Sequence, residues 1–395
     1  LAAHILYSLI TTQIQGVSGA QQDTQTKEQR WDWATQWSLP KAETLRVIIP
    51  GLYGYRMDTP EGGQYWGTVG QQPGWETHHQ GFPRHSGAGE YAGVLVVLVA
   101  FWGIFQSLRG TQSAFDERQR RQIWFWMGTA FVCLLFAFGR HAPFYQVIYS
   151  LPLFSTIRNP VKWMHPFHLS LIILFGFGLH GLVKCYLAAA GRRAETLGAY
   201  LKEWWASASG FEKKWSKGLF AFVGVSIFGW LIYTKNSVDL QRYLVENALP
   251  QPYASEIASH SFAQVGWYVL FLILSAGAVL LVMSGWFSGG RAKWAGLLLG
   301  AVLVADLARA NQPWIQTYEY TEKYATNPVL DILREESHEA RVALLPLPGN
   351  LVPGMDQIRE VYQLYWHQHH FPYYDIQSYE VVQEPRVGED KVARG

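Results

Sequence analysis

Six apolar stretches, each close to the length of a membrane-spanning helix, are the feature that most limits how this 395-residue chain can fold. A hydrocarbon core of about 30 Å requires about 20 apolar residues in helical conformation. Lys and Arg are almost absent from the stretches, and the exception, Arg309, stands near an end. The sequence therefore predicts a mainly α, polytopic transmembrane domain over residues 91–310, with six spans at Tyr91–Leu108, Gln122–Gly139, His165–Val183, Gly218–Thr234, Gln264–Ser284 and Trp294–Ala310.

Bulk composition hides this pattern, because it averages apolar helices with large polar loops. The net charge is +2 and the mean hydropathy is −0.01, values that also suit a soluble protein. The aromatic residues are more informative: they make up 15% of the chain and include 18 Trp, several of which stand at stretch ends, where membrane proteins concentrate them. The sequence has no strongly basic tract and no nucleotide-binding motif, so we expect no nucleic-acid partner.

The distribution of Lys and Arg predicts which loops face the cytoplasm. Loops 109–121, 184–217 and 285–293 hold more than twice as many basic residues as loops 140–164 and 235–263, at nearly equal total length. Basic loops tend to stay in the cytoplasm. We therefore expect a multi-pass protein whose extracytoplasmic segments are 11–90, 140–164, 235–263 and 311–395.

The two ends of the chain lead to separate expectations. Leu1–Ile10 is apolar but only about half a span long, and we interpret it as a truncated transmembrane helix. In the loop region 11–90, Ser38 is the expected N-cap of a short helix, Lys41–Ile49. We expect residues 311–395 to form a small α/β lobe, which is either a complete domain or the beginning of one. Its predicted elements are helices at Asn327–Glu336 and Gln357–His367 and a strand at Arg341–Leu345.

Several short motifs, in this order along the chain, resemble the YfhO family of bacterial membrane proteins. They are Ala34–Pro40, Ile49–Gly54, Leu151–Phe154 followed by Arg158–Pro160, a Gly-rich span at Phe175–Gly181, Asp306-Leu307, and Ala340–Val342 with Asn350 and Tyr373. The resemblance implies a GT-C-type membrane fold in a bacterial cytoplasmic (inner) membrane. It also implies transfer of a sugar from a polyprenyl-phosphate donor to a cell-envelope glycan acceptor outside the membrane.

The same resemblance leaves the catalytic base unassigned. Enzymes of the GT-C type are expected to carry their catalytic carboxylate on the first extracytoplasmic loop, which would lie upstream of Leu1. The chain as a fragment is therefore expected to be inactive. Its expected partners are membrane lipid, the polyprenyl-phosphate sugar donor and the envelope glycan.

Three cations are candidates for binding the donor phosphate. A lipid-phosphate leaving group needs positive charge near the outer interface, where it develops negative charge. Arg158 and Lys162, beside the entry to a span, are the first choice, and Arg140 is the second. The guanidinium of Arg can hold phosphate through two parallel hydrogen bonds. The alternative is that these cations bind lipid head groups at the membrane boundary.

Two carboxylates are weaker candidates for a catalytic role. Asp58, in the first outer loop, is one; a solvated loop carboxylate is its alternative. Asp306 is the other, and a carboxylate within a span is usually paired or functional because burying it is costly. Arg309 follows three residues later on the same helical face, so a structural role, either an Asp306–Arg309 ion pair or a contact with a helix end, is the alternative for this residue.

Four residues of the first outer loop are candidates for contacting the sugar or its acceptor: Tyr55, Arg56, Tyr65 and Trp66. Aromatic rings offer a flat apolar face with a polar edge. Ordinary packing is the alternative for the three aromatic residues.

Two groups of histidines raise the question of a metal. They are His78, His79 and His85, and later His367, His369 and His370. Neither group has a recognised zinc-site spacing, so we expect no metal and no other cofactor; dependence on a divalent metal ion is the alternative left open. Two other classes of function stay open. One is a lipid or sugar transporter (flippase), although mid-span charges and internal repeats typical of transporters are missing from the sequence. The other is a non-catalytic envelope scaffold.

Overall fold

The structure is a computed structural model that describes residues 27–55, 65–71, 89–151, 158–188, 196–247, 251–315, 317–335, 339, 341–342 and 368–377. The chain divides into a larger unit, Thr26–Ile315, and a smaller unit that includes Gln316–Gly395. All regular elements of the described residues are helical. In the larger unit they are α1 (Lys27–Thr35), a 3₁₀ helix (Lys41–Val47), α2 (Val94–Ser107), α3 (Glu117–Ala137), α4 (Phe144–Tyr149), α5 (Met164–Leu182), α6 (Leu197–Ser207), α7 (Gly210–Lys235), α8 (Ser237–Glu246), α9 (Gln251–Ser284) and α10 (Ala292–Asn311).

Four helical segments of the described residues are long and apolar enough to cross a bilayer. They are Pro160–Leu187, Gly210–Lys235, Tyr253–Ser284 and Gly289–Trp314, which contain most or all of α5, α7, α9 and α10. The sequence prediction is therefore confirmed as far as a mainly helical chain with four candidate membrane-spanning helices.

The other two predicted spans are helices with different properties. α2 has 14 residues, which makes it about 21 Å long and shorter than a hydrocarbon core of about 30 Å. α3 begins five residues before the predicted start, because Asp116 and Gln119 form a capping box there. Its first turns are consequently charged, with Glu117 and Arg121 exposed.

α2 lies at the centre of the larger unit. Leu95, Val99 and Trp102 are fully buried in its core. α2 packs most closely on α5, where Gly103 faces Gly178: a Cβ on Gly178 would lie 2.3 Å from the carbonyl oxygen of Val99. The absence of side chains at these two glycines lets the two helix backbones touch.

The helices alternate in direction, so the larger unit has two ends. The pocket face is the end at which segments 31–55, 65–71 and 89–93 meet the start of α2. Its contacts include hydrogen bonds from the Ala92 N–H to the Val47 carbonyl (3.0 Å) and from the Ser261 hydroxyl to the Leu52 carbonyl (2.6 Å). The basic face is the opposite end, formed by segments 108–121, 183–188, 196–217 and 285–293.

The segment after α1 differs from the sequence prediction. The expected helix Lys41–Ile49 is a 3₁₀ helix, Lys41–Val47, with Pro40 as its N-cap residue and no side-chain capping bond. Ser38 instead donates its hydroxyl to the Thr35 carbonyl and accepts the N–H of Arg140. The expected cap was wrong because the Ser38 hydroxyl is bound by the neighbouring Thr35 and by Arg140, which is distant in sequence.

The described part of the smaller unit is also helical. It contains α11 (Tyr320–Lys323), α12 (Pro328–Glu335) and a 3₁₀ helix, Gln368–Tyr374. α12 confirms the helix predicted at Asn327–Glu336. Of the predicted strand Arg341–Leu345, only residues 341 and 342 are described, and they form no strand; the Val342 N–H donates to the Gln377 carbonyl (2.8 Å) in an isolated bridge. The helix predicted at Gln357–His367 and the truncated helix predicted at Leu1–Ile10 lie outside the described residues.

The close contact between α2 and α5 gives a stability prediction. Gly178→Ala places a methyl group against the Val99 carbonyl, so one of the two helices has to move. We expect a loss of about 1–3 kcal/mol, the usual cost of overpacking, measured as a lower melting temperature of the purified protein in detergent. Gly176→Ala is the matched control, because nothing lies within 4 Å of its Cβ position on the same helix. Equal melting temperatures for the two variants would contradict the close contact.

Candidate functional site

A buried charge network lies at the pocket face. It consists of Glu43 and Arg46, both on the 3₁₀ helix, and Glu90, which precedes α2. Arg46 donates from Nη1 to Glu43 Oε2 at 3.0 Å and from Nη2 to Glu90 Oε2 at 2.6 Å. The three side chains are between 2% and 5% exposed. Charged groups are buried this deeply only when they are paired and hydrogen-bonded.

Neutral donors complete the network and tie another segment to it. The Tyr65 hydroxyl donates to Glu43 Oε2 at 2.7 Å, and the Thr68 N–H donates to Glu43 Oε1 at 2.8 Å. The Tyr65 hydroxyl in turn accepts the N–H of Val69 at 3.0 Å. Segment 65–71 is thereby fixed against the 3₁₀ helix, although more than twenty residues separate Glu43 from Tyr65 in sequence.

The charge network contains two carboxylates but one guanidinium, and the pKa of Glu90 is raised. Burial raises the pKa of Glu90 to about 7 from its ordinary value of 4.5. The positive charge of Arg46 lowers this pKa but offsets only part of the rise that burial causes. The negative charge of Glu43 raises the pKa further. A carboxyl with a pKa near neutrality can both hold and release a proton under physiological conditions.

A small polar cavity of about 70 Å³ adjoins this network, with room for a few water molecules. Arg46 and Glu90 form part of its wall. The other side chains that line it come from the loop after the 3₁₀ helix, the start of α2 and the end of α10: Tyr55, Tyr91, Asn311 and Trp314. The cavity therefore joins a cation, a titratable carboxyl and two phenol groups at one place.

Asp306 lies beside this cavity and fixes the start of α2. It is 1% exposed and accepts hydrogen bonds from the Tyr91 hydroxyl and, at 3.0 Å, from the Val94 N–H. Gly93 permits the turn into α2 because its φ of 98° is a conformation that favours glycine. Asp306, which lies on α10, thus accepts a hydrogen bond from an N–H in the first turn of α2 that has no acceptor within its own helix.

The ion pair expected between Asp306 and Arg309 is not formed in the described structure. Arg309 instead donates from Nη1 to Gln264 Oε1 at 2.8 Å, and its guanidinium lies 5.4 Å from the ring centroid of Trp267. Both residues lie on α10, but Asp306 binds the start of α2 and Arg309 binds α9.

The three candidate phosphate-binding cations lie at the pocket face with different surroundings. Arg140 donates to the carbonyls of Thr35 (3.1 Å) and Asp32 (2.7 Å), so its guanidinium closes the end of α1. Arg158 is exposed and lies 4.6 Å from the ring centroid of Trp33. Lys162 is exposed, and its ammonium group makes no hydrogen bond or ion pair to the described residues. Arg158 and Lys162 are consequently the cations left available for a ligand.

The candidate sugar contacts are also separated by the structure. Tyr55 is buried at the cavity, with its ring 5.2 Å from that of Trp314, and burial raises its pKa to about 12. Tyr65 is held inside by Glu43, as described above. Trp66 packs against Tyr53 at 4.6 Å between ring centroids. Only Tyr55 of these three lines the cavity.

Several candidates from the sequence lie outside the described residues. They are Arg56, Asp58, His78, His79, His85 and His367, while for His369 and His370 only the backbone is described. Among the described residues no group of three or more His, Cys, Asp or Glu is arranged to hold a metal ion.

Sequence reasoning missed the three residues of the charge network. Glu43 and Arg46 stand three apart, a spacing that is common on exposed helix faces and gave no reason to expect burial. Glu90 offered a clearer signal, because it directly precedes an apolar stretch. A carboxylate at that position lies at the membrane boundary and needs a partner.

The raised pKa of Glu90 gives a pH prediction. The folded protein holds this proton more tightly than the unfolded chain, so the resulting stabilisation is complete below the ordinary value of 4.5 and is lost as the pH rises to about 7. We expect the melting temperature in detergent to fall over this range, by a free energy on the order of 3 kcal/mol. Glu90→Gln should flatten the dependence. Glu117→Gln, at a side chain 79% exposed, should leave it unchanged; equal slopes in all three proteins would refute the assignment.

A second prediction concerns Asp306. Asp306→Ala removes the acceptor of two buried donors, the Tyr91 hydroxyl and the Val94 N–H. Each orphaned donor costs about 1–3 kcal/mol, so we expect a loss of roughly 2–5 kcal/mol in the free energy of unfolding. Asp239→Ala is the control, at a carboxylate 71% exposed. Hydrogen exchange of the first turn of α2 should rise in Asp306→Ala alone, and an unchanged rate there would contradict the capping role.

Comparison with protein-family models, curated proteins and solved structures finds no match for this chain. The family resemblance drawn from its motifs therefore stays a prediction. The function has to be argued from the contacts of the pocket face.

Proposed function

We propose that this chain is the membrane domain of a GT-C-type glycosyltransferase, as its resemblance to the YfhO family implies. In this proposal it transfers a sugar from a polyprenyl-phosphate donor to a cell-envelope glycan, and the pocket face is extracytoplasmic. The four candidate membrane-spanning helices support a site that works on a lipid-linked substrate. The single observation that carries the proposal is the cavity at the pocket face, lined by Glu90 and Arg46.

Glu90 is proposed to carry a proton in this reaction, in place of the upstream carboxylate that the family resemblance implies and of the weaker candidates Asp58 and Asp306. The acceptor hydroxyl gives its proton to the Glu90 carboxylate and forms a bond to the anomeric carbon, while the bond from that carbon to the phosphate oxygen breaks. A general base works best when its pKa is close to the operating pH, and the pKa of about 7 fits this requirement. The cavity holds only a few waters, so we place the sugar at its mouth, near Tyr55 and Trp314.

Arg158 and Lys162 are proposed to hold the leaving phosphate. Both are exposed on the segment that leads into α5 at the pocket face. Arg46 is unsuited to this role, because Glu43 and Glu90 occupy its guanidinium. Preorganised cations at the position where charge develops are a large source of rate acceleration. The proposal also includes the six membrane spans and the loop orientation that were predicted from the sequence.

The test of Glu90 uses the full-length protein in vesicles with a labelled polyprenyl-phosphate sugar and a glycan acceptor. Release of polyprenyl phosphate measures turnover. We expect Glu90→Gln to lower kcat by about 100-fold or more, the usual contribution of a general base, and Glu117→Gln to leave it unchanged. Turnover of Glu90→Gln at the wild-type rate would remove Glu90 from the reaction. Movement of the intact donor across the bilayer without release would favour the alternative, a flippase.

Arg158 is tested by the donor concentration dependence of the same assay. Arg158→Ala should raise KM for the donor about tenfold, since a hydrogen bond to a charged group contributes about 1.5–3 kcal/mol. Arg158→Lys should recover part of the affinity because it keeps the charge. Arg121→Ala, 72% exposed at the basic face, is the control and should not change KM. An unchanged KM in Arg158→Ala would exclude this residue from the phosphate site.

A further inference from the structure

A second, apolar cavity lies between α2, α7 and α9, and we name it the apolar groove. Its volume is about 650 Å³, within the range of about 300–1,000 Å³ that small-molecule sites occupy. Its walls include Phe101 and Phe105 of α2, Phe222 of α7 and Leu272 of α9. The three phenylalanines are between 46% and 49% exposed, so the groove is open along its outer side.

The groove exists because α7 is attached to α9 and stands away from α2. The Ser226 and Tyr268 hydroxyls lie 3.0 Å apart, and the Trp230 indole N–H donates to the Phe262 carbonyl at 3.0 Å. On the side of the groove, α7 carries Gly218, and nothing lies within 4 Å of the place where its Cβ would be. A glycine here leaves space that a larger residue would fill.

The length of the groove matches one leaflet of a bilayer. The residues that line it run from Val94 to Phe105 on α2 and from Phe211 to Phe222 on α7. Eleven helical steps correspond to about 16 Å on each helix. This is close to half of a hydrocarbon core of about 30 Å. A hydrocarbon chain that enters at the basic face and runs about 16 Å along α2 therefore has the right length for the groove.

One end of the groove is cationic. Lys214 forms part of the wall at the basic face, and its ammonium group makes no hydrogen bond or ion pair to the described residues. The neighbouring Trp215 also lines the groove, and its buried indole N–H has no acceptor within the described part of the chain. Arg109 adds positive charge at the same end, with its guanidinium 4.7 Å from the ring centroid of Phe211. The apolar length and the cationic end together are complementary to an amphiphile with an anionic head.

We propose that the apolar groove binds an anionic phospholipid, with one acyl chain between α2 and α7 and the phosphate at Lys214. The basic face is the side on which Lys and Arg predict the cytoplasm, where the leaflet carries anionic lipid. A polyprenyl-phosphate donor is the less suitable occupant. Its phosphate at Lys214 would lie at the opposite end of α2 from Glu90, about 21 Å away along a 14-residue helix. The proposal requires only that the bundle lie in a bilayer and is independent of sugar transfer.

The test uses the full chain in phosphatidylcholine vesicles that contain a trace of phosphatidylglycerol with a photoreactive group in its acyl chain. Mass spectrometry after illumination locates the labelled residues, and we expect them on α2 and α7 along the groove. The same experiment with a photoreactive phosphatidylcholine should label these positions about fivefold less, the factor expected from the attraction of one Lys for an anionic lipid. Lys214→Gln should abolish this preference. Lys217→Gln, three residues further along α7 and outside the groove lining, should keep it.

A second pair of variants tests the space itself. Gly218→Leu should fill the groove and lower the labelling by at least about tenfold, since an occupied pocket excludes the chain. Gly224→Leu is the matched control on the same helix, because its Cβ also meets nothing within 4 Å but it does not line the groove. Wild-type labelling in Gly218→Leu, equal labelling by the two lipids, or even labelling over all outward helix faces would overturn the proposal. Displacement of the probe by polyprenyl phosphate but not by unlabelled phosphatidylglycerol would overturn it as well.

Discussion

The pocket face of this protein depends on the burial of Arg46 between two carboxylates. Removing a guanidinium from water is costly, and the cost is offset only when its hydrogen bonds are satisfied by well-placed partners. Glu43 and Glu90 supply these partners, and Tyr65 and the Thr68 backbone in turn satisfy Glu43. The network thereby joins the 3₁₀ helix, segment 65–71 and the start of α2. Loss of one partner would leave an uncompensated buried charge, which usually costs 3–5 kcal/mol.

The helices were predictable from the sequence because apolar length is a local property. Each of the six predicted apolar stretches largely coincides with a helix. Where a helix begins at a residue other than the predicted one, the cause is local. α3 starts early because Asp116 and Gln119 cap it, and α2 is short because Gly93 and Asp306 set its start. The 3₁₀ form of Lys41–Val47 was not predictable, since its contacts come from residues 90–92 and from segment 65–71, which are distant in sequence.

The candidate site was predictable only in part. Arg158 and Lys162 were identified as cations beside a span, and exposure keeps both available. Arg140 was identified on the same ground, but its partners in α1 lie more than one hundred residues away and no sequence pattern connects them. The same holds for Arg46 and Glu90, whose 44-residue separation conceals a direct ion pair. Sequence reasoning therefore identified the exposed cations but missed the buried contacts between charged groups and their distant partners.

The shortness of α2 sets the level at which Glu90 and Tyr91 lie in the helical bundle. α10 continues five residues beyond Asp306, to Asn311, so it extends about 7 Å past the point where α2 begins. Glu90 and Tyr91 precede α2 and are therefore flanked by the last turn of α10, where Asn311 lines the same small cavity. A short helix among longer ones thus leaves room for a polar cavity within the bundle.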